Sequence, residues 1–143
     1  MDRVLIIDDE EEVRASVARR LKRDGLATET ADGEDEGIDK ISNAEPPYDV
    51  ILTDMSMDNP ESGMKILQEA VAKDLFAEVI VLTAYGNVAN AVECMKRGAY
   101  DYVEKNIPGI DVYELVSLKV AQALEHRRTS VGAIKRIERL SRG

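Results

Sequence analysis

The sequence predicts an α/β fold with a doubly wound parallel sheet, and two observations lead to it. Short β-branched runs, of which Val4-Leu5-Ile6-Ile7 and Val79-Ile80-Val81-Leu82 are the clearest, alternate with longer segments of 3.6-residue apolar periodicity. Five such pairs follow one another in a chain of 143 residues, the length of one domain with a single core.

Each element has its own signature. Strand 1 covers residues 4–7, and helix 1 runs over 11–24 with Val13, Val17 and Leu21 on one face and Gly25 as its stop. Strand 2, 27–31, is the most polar. Helix 2, 34–43, has only Ile38 and Ile41 to bury and contains Gly37, an unfavourable helix-interior residue. Strand 3, 49–53, follows the Pro46-Pro47 break, and helix 3, 63–75, offers Ile66 or Leu67, Ala70 and Val71. Strand 4 is 79–83; helix 4, 88–97, aligns Val88, Val92 and Met95 and ends at Gly98. Strand 5 covers 100–103. Helix 5 opens after Pro108 with Asp111 as N-cap, and Leu115, Leu118 and Leu124 are among its apolar positions to residue 125.

Composition excludes several classes. No apolar run is long enough for a membrane span or a signal-peptide core, and the single cysteine, Cys94, fits a reducing compartment, so the cytoplasm is the expected location. A net charge of −9 argues against a chain devoted to binding nucleic acid. The charge is uneven. Residues 126–143 hold Arg127, Arg128, Lys135, Arg136, Arg139 and Arg142 against Glu138, which leaves 27 acids against 13 cations in residues 1–125. A boundary is therefore placed near 126, between a domain over 1–125 and a basic helical extension or linker over 126–143. Beyond His126, Gly132 disfavours helix by about 1 kcal/mol, while Ile134, Ile137 and Leu140 recur at helical spacing. A separate short helix there is too short to stand alone in water and needs a partner.

In an open α/β sheet, ligands bind beyond the carboxyl ends of the strands. Strand 1 ends in Asp8-Asp9, strand 3 in Asp54, strand 4 in Thr83 and strand 5 in Lys105, whereas strand 2 ends in the ordinary turn pair Asp32-Gly33. Asp8-Asp9-Glu10 by itself reads equally well as an acidic start to helix 1. Three carboxylates converging in one crevice raise one another's pKa unless a cation is shared. Few protein ligands with room for water and phosphate oxygens suit Mg²⁺ better than Ca²⁺. His126 falls where the last helix is expected to fray, Cys94 reads as packing, and Gly86 lacks the glycine partners of a dinucleotide loop.

Four stretches in order, Leu5-Ile6-Ile7-Asp8-Asp9-Glu10, Asp49-Val50-Ile51-Leu52-Thr53-Asp54, Val81-Leu82-Thr83-Ala84-Tyr85-Gly86 and Gly98-Ala99-Tyr100-Asp101-Tyr102-Val103-Glu104-Lys105, carry a resemblance. Over nearly all of 2–125 the chain resembles the receiver domain of two-component response regulators. Residues 83–105 are most similar to receivers of σ54-dependent activators of the nitrogen-regulator kind. The resemblance implies a flavodoxin-like (βα)5 fold with strand order 2-1-3-4-5. In that order strand 5 lies two spacings, about 10 Å, from strand 3, a gap for a long side chain such as Lys105. It further implies that Asp54 is the phosphoacceptor and that Asp9 binds Mg²⁺ directly and Asp8 through water, with Asp54 and the Ser56 carbonyl completing the protein ligands. Lys105 pairs with Asp54 before transfer, Thr83 donates to the phosphoryl, and Tyr102 is the switch aromatic.

Two departures from the family pattern stand out: Asn106 replaces the usual proline after Lys105, the proline coming at Pro108, and the loop from Met55 to Ser62 is one residue longer. The implied function is a phosphorelay switch rather than an enzyme with turnover. Its partners are a sensor histidine kinase or histidine phosphotransfer protein, a second copy or an effector, with no membrane and no direct nucleic-acid contact. The alternatives are a constitutive interaction module of the same fold and a phosphatase-like hydrolase. Asp54-Met55-Ser56 lacks the second aspartate that haloacid-dehalogenase-type phosphatases use, which weakens the hydrolase reading.

Overall fold

The computed structural model describes residues 1–84 and 87–142. Tyr85 and Gly86, part of the third motif, lie outside the described residues. Strands β1 (Arg3–Ile7), β2 (Ala27–Ala31), β3 (Val50–Asp54), β4 (Glu78–Thr83) and β5 (Asp101–Glu104) alternate with helices α1 (Glu11–Arg23), α2 (Glu34–Asn43), α3 (Ser62–Lys73), α4 (Val88–Lys96) and α5 (Val112–Arg142). The strands form one parallel sheet in the order β2-β1-β3-β4-β5, the expected flavodoxin-like arrangement.

Pattern explains position. β3 and β4 are buried throughout and sit inside the sheet, while β2, with Thr28, Glu29 and Thr30, takes an edge where one flank meets solvent. Alternation along the strands divides the core. Leu5, Ile7, Ile51, Val79 and Val81 face α2, α3 and α4; Val4, Ile6, Val50, Leu52, Ile80 and Leu82 face α1 and α5. Gly37, a weakness by propensity, is a close approach in the fold: a Cβ there would lie 2.8 Å from Ile7 Cδ1. No helix among the described residues is long and apolar enough to cross a membrane.

The structure corrects three readings of the sequence. The buried residues of α4 are Ala91 and Cys94, whereas Val92 and Met95, two of the three aligned apolar residues, are 42% and 37% exposed. Small residues face inward because α4 lies close to the sheet. Leu118 is 54% exposed; α5 buries Val116, Val120, Ala123 and Leu124 instead. Most consequentially, α5 does not fray at His126 or break before a second short helix, but continues unbroken to Arg142. An extension growing from a formed helix adds residues without a new nucleation step, so Gly132 alone does not stop it.

The first residues past the expected boundary also dock on the core. Arg127 donates to Asp49 Oδ1 at 3.0 Å, Asp74 Oδ2 at 2.8 Å and the Phe76 carbonyl at 2.7 Å. His126 Nδ1 is 2.6 Å from Glu78 Oε1, with its ring 5.2 Å from that of Tyr100, and Arg128 reaches Asp2 at 3.1 Å.

Candidate functional site

Parallel strands bring their carboxyl ends to one edge of the sheet, and the ladders extend into the loops beyond. The Asp8 amide donates to the Ala31 carbonyl, the Met55 amide to Leu82 and the Lys105 amide to Thr83, the last at 2.7 Å. Asp8, Asp54 and Lys105 are thus fixed by backbone before any side-chain contact forms.

Asp8 is fully buried. Its Oδ1 accepts the Glu10 amide at 2.9 Å, its Oδ2 accepts Lys105 Nζ at 2.8 Å, and Arg14 donates to its carbonyl at 2.7 Å. Lys105 Nζ also lies 3.3 Å from Asp54 Oδ2 and 3.5 Å from Glu10 Oε1. From β5 the lysine therefore reaches past β4 and β3 to the end of β1, and its closest acid is Asp8 rather than Asp54. Asp9 is exposed beside them, and carboxylate oxygens of Asp8, Asp9, Glu10 and Asp54 come within 4.8 Å of one another.

Four carboxylates and one ammonium leave surplus negative charge. Burial, reinforced by the charges of Asp8 and Asp9 and opposed by Lys105, pushes Asp54 up to about 6. Burial would lower Lys105, yet the Asp8 hydrogen bond and the charges of Asp54, Asp8 and Glu10 outweigh it and hold the ammonium above its ordinary value. Hard oxygen donors around an undercompensated charge suit a hard divalent cation. The pocket that Asp9, Glu10, Asp54 and Lys105 line, about 290 Å³, is also walled by Met55, Ser56, Ala84 and Asn106, with Asp8 buried behind it.

The remaining candidates stand around this pocket in different ways. Ser56 is on its rim, with its hydroxyl turned to the Pro60 carbonyl at 3.3 Å. The buried Thr83 hydroxyl donates to the Asn87 carbonyl at 2.9 Å. Tyr102 is half-buried against the core on the α2, α3 and α4 side. Asn106 takes a left-handed backbone, φ 60°, and the single cis peptide among the described residues is Glu45–Pro46, so Lys105–Asn106 is trans. Cys94 is buried with Sγ 3.7 Å from Met55 Sδ, a packing position. The sequence reading left Glu10 and Arg14 without a role here; the acidic run Asp8-Asp9-Glu10 pointed to the first, and nothing in the sequence pointed to the second.

Residues 4–117 match the response regulator receiver domain family. The regulatory protein AtoC of Escherichia coli (strain K12) is 36% identical over 126 residues, 87% of this chain and 26% of AtoC. A response regulator receiver domain protein from Clostridium thermocellum superposes with a TM-score of 0.80 at 29% identity, covering 90% of this chain and 98% of that one. NtrX from Brucella abortus, in complex with ADP, gives 0.81 at 27% identity over 93% of this chain and 29% of NtrX. This chain thus spans about a quarter of AtoC and of that NtrX. The matched span takes in all five strands and the pocket, and the chain belongs to the response regulator receiver domain family.

Proposed function

We propose that Asp54 accepts a phosphoryl group from a histidine kinase or a histidine phosphotransfer protein and that the chain catalyses only its own phosphorylation and dephosphorylation. The observation that supports this most is the raised, buried carboxyl of Asp54 at the end of the central strand, facing Lys105 and three further acids. A carboxylate oxygen of Asp54 attacks phosphorus, the bond to the donor's imidazole nitrogen breaks with its electron pair leaving on nitrogen, and an acyl phosphate results. Asp9, Asp54 and the Ser56 carbonyl would hold Mg²⁺, with Asp8 as an outer member; when bound, the ion neutralises charge on the transferred oxygens.

Lys105 keeps Asp54 oriented before transfer and pairs with the phosphoryl after it. The Thr83 hydroxyl then exchanges the Asn87 carbonyl for a phosphoryl oxygen, and Tyr102 follows it inward. Residues 1–125 would form the receiver unit, and 126–143 a helical extension that mediates contact with a second copy or leads to an effector rather than reading nucleic acid. The likeness to AtoC and NtrX, both much longer than this chain, supports an effector, and the setting would be the cytoplasm.

Incubation with Mg²⁺ and acetyl phosphate is expected to add one phosphoryl group by intact mass, and Asp54→Asn to abolish it. Equal labelling of the variant overturns the assignment.

A further inference from the structure

The lengthened loop between β3 and α3 is built around Asn59. Its amide donates to Ser62 Oγ at 3.2 Å, its carbonyl accepts the Met57 and Ser62 amides, both at 3.2 Å, and its Oδ1 accepts the Glu61 amide at 2.9 Å. Those bonds close the loop on itself. The remaining group points away: Nδ2 donates to Glu34 Oε1, at the start of α2, at 3.2 Å.

Glu34 is unusual for its place. An acid in the first turn of a helix gains from the dipole while staying in water, but Glu34 is buried, and its carboxylate faces Asn59 and Lys65 of other elements. Its other oxygen lies 3.7 Å from Lys65 of α3. The same turn meets the loop a second time, because a Cβ at Gly33 would stand 3.6 Å from the Asp58 carboxylate. On its other side the loop is fixed by the Gly63 amide on the Met55 carbonyl at 2.8 Å, and Ser56, next to that fixed point, lines the acidic pocket.

We propose that Asn59 and Glu34 are positioning residues for the phosphoacceptor pocket: their bond ties the loop to α2 and so sets where Ser56 stands relative to Asp54 and Asp9. This rests on the functional reading above. A loop bonded only to itself and to the first turn of α3 can shift against α2; tied to Glu34 it cannot. Residues that orient a metal's ligands without touching the metal commonly change affinity about ten- to a hundredfold, and a tie acting through the loop backbone falls at the lower end of that range.

The wild-type chain, Asn59→Asp, Glu34→Ala and Glu34→Gln should be titrated with Mg²⁺ by calorimetry, with hydrogen exchange of the Met57 and Ser62 amides followed in metal-free protein. Asn59→Asp keeps the oxygen that accepts from Glu61 but loses the donor to Glu34 and sets two carboxylates together. It and Glu34→Ala are expected to bind Mg²⁺ about tenfold more weakly. Glu34→Gln keeps the accepting Oε1 and is expected within about twofold of wild type, a rescue that general loosening of the fold would not produce. The Ser62 amide, bonded inside the loop, is expected to stay protected in Asn59→Asp. Wild-type affinity in both disrupting variants, or equal weakness of Glu34→Gln and Glu34→Ala, overturns the proposal. Wild-type protein that binds Mg²⁺ but takes no phosphoryl group overturns the functional reading and leaves the positioning role standing.

Discussion

The two ends of the sheet use the same ingredients to opposite effect. At the carboxyl end, Asp8, Glu10 and Asp54 share Lys105 with Asp9 beside them, and burial, reinforced by the charges of Asp8 and Asp9, raises the Asp54 carboxyl in spite of the lysine. At the amino end, Asp49 and Asp74 share Arg127, Glu78 meets His126 and Asp2 meets Arg128. Each acid there has a partner supplied by α5. Four acids crowded about one ammonium on a rigid frame are suited to a cation, whereas acids each bonded by a side chain of α5 make an anchor.

The contrast is sharpened by removing the cation from each end. Lys105→Ala strands the fully buried Asp8 and is expected to lower metal-free stability by about 3 kcal/mol in urea unfolding, a loss that Mg²⁺ reduces. Arg127→Ala is expected to cost about 2 kcal/mol, with no change on adding Mg²⁺. If Mg²⁺ repairs both variants equally, the division of the molecule into two ends fails.

Asp54→Asn tests the imbalance from the acid side. Asp54 holds its proton more tightly in the fold, near 6, than at its ordinary 3.8. The stability linked to that proton is complete below the lower value and is lost as pH rises through the upper one. The metal-free asparagine variant is therefore expected to be more stable than wild type at pH 7, by about 1–2 kcal/mol after allowance for solvent screening, and to lose this advantage near pH 4. A variant less stable at pH 7, read by thermal melting, contradicts the raised Asp54 carboxyl.

The smallest effect concerns the extension. A chain ending at Arg128 keeps the bonds of His126, Arg127 and Arg128 and is expected within about 0.5 kcal/mol of the 143-residue chain, whereas one ending at Glu125 is expected to lose at least as much as Arg127→Ala. Equal stability of the two truncations would mean that Arg127 and its neighbours do not anchor α5 to the core.

The strands were legible because their β-branched runs are buried whichever helix covers them, and the strand ends pointed to Asp8, Asp54 and Lys105 because parallel pairing collects those ends in one place. Helix faces were harder. On α4 the large residues Val92 and Met95 dominate the periodicity, yet the sheet leaves room only for Ala91 and Cys94. Charge composition marked residue 126 as a change of character, but two of the six cations behind that signal, Arg127 and Arg128, are bonded to acids far away in sequence. The Thr83 hydroxyl and the preference of Lys105 for Asp8 are orientations of side chains, which no spacing along the chain encodes.

The unbroken α5 has a mechanical consequence. Past Arg128 it carries 14 further residues to Arg142, a rod of about 21 Å at 1.5 Å per residue. Its pivot is the Arg127 clamp, and the part of the same helix before the clamp packs on β4 and β5, the strands that end at Thr83 and just before Lys105. A tilt of about 5° at the clamp carries the tip about 2 Å, so a displacement too small to disturb the core becomes, at the end of the rod, the difference between two side chains meeting and missing.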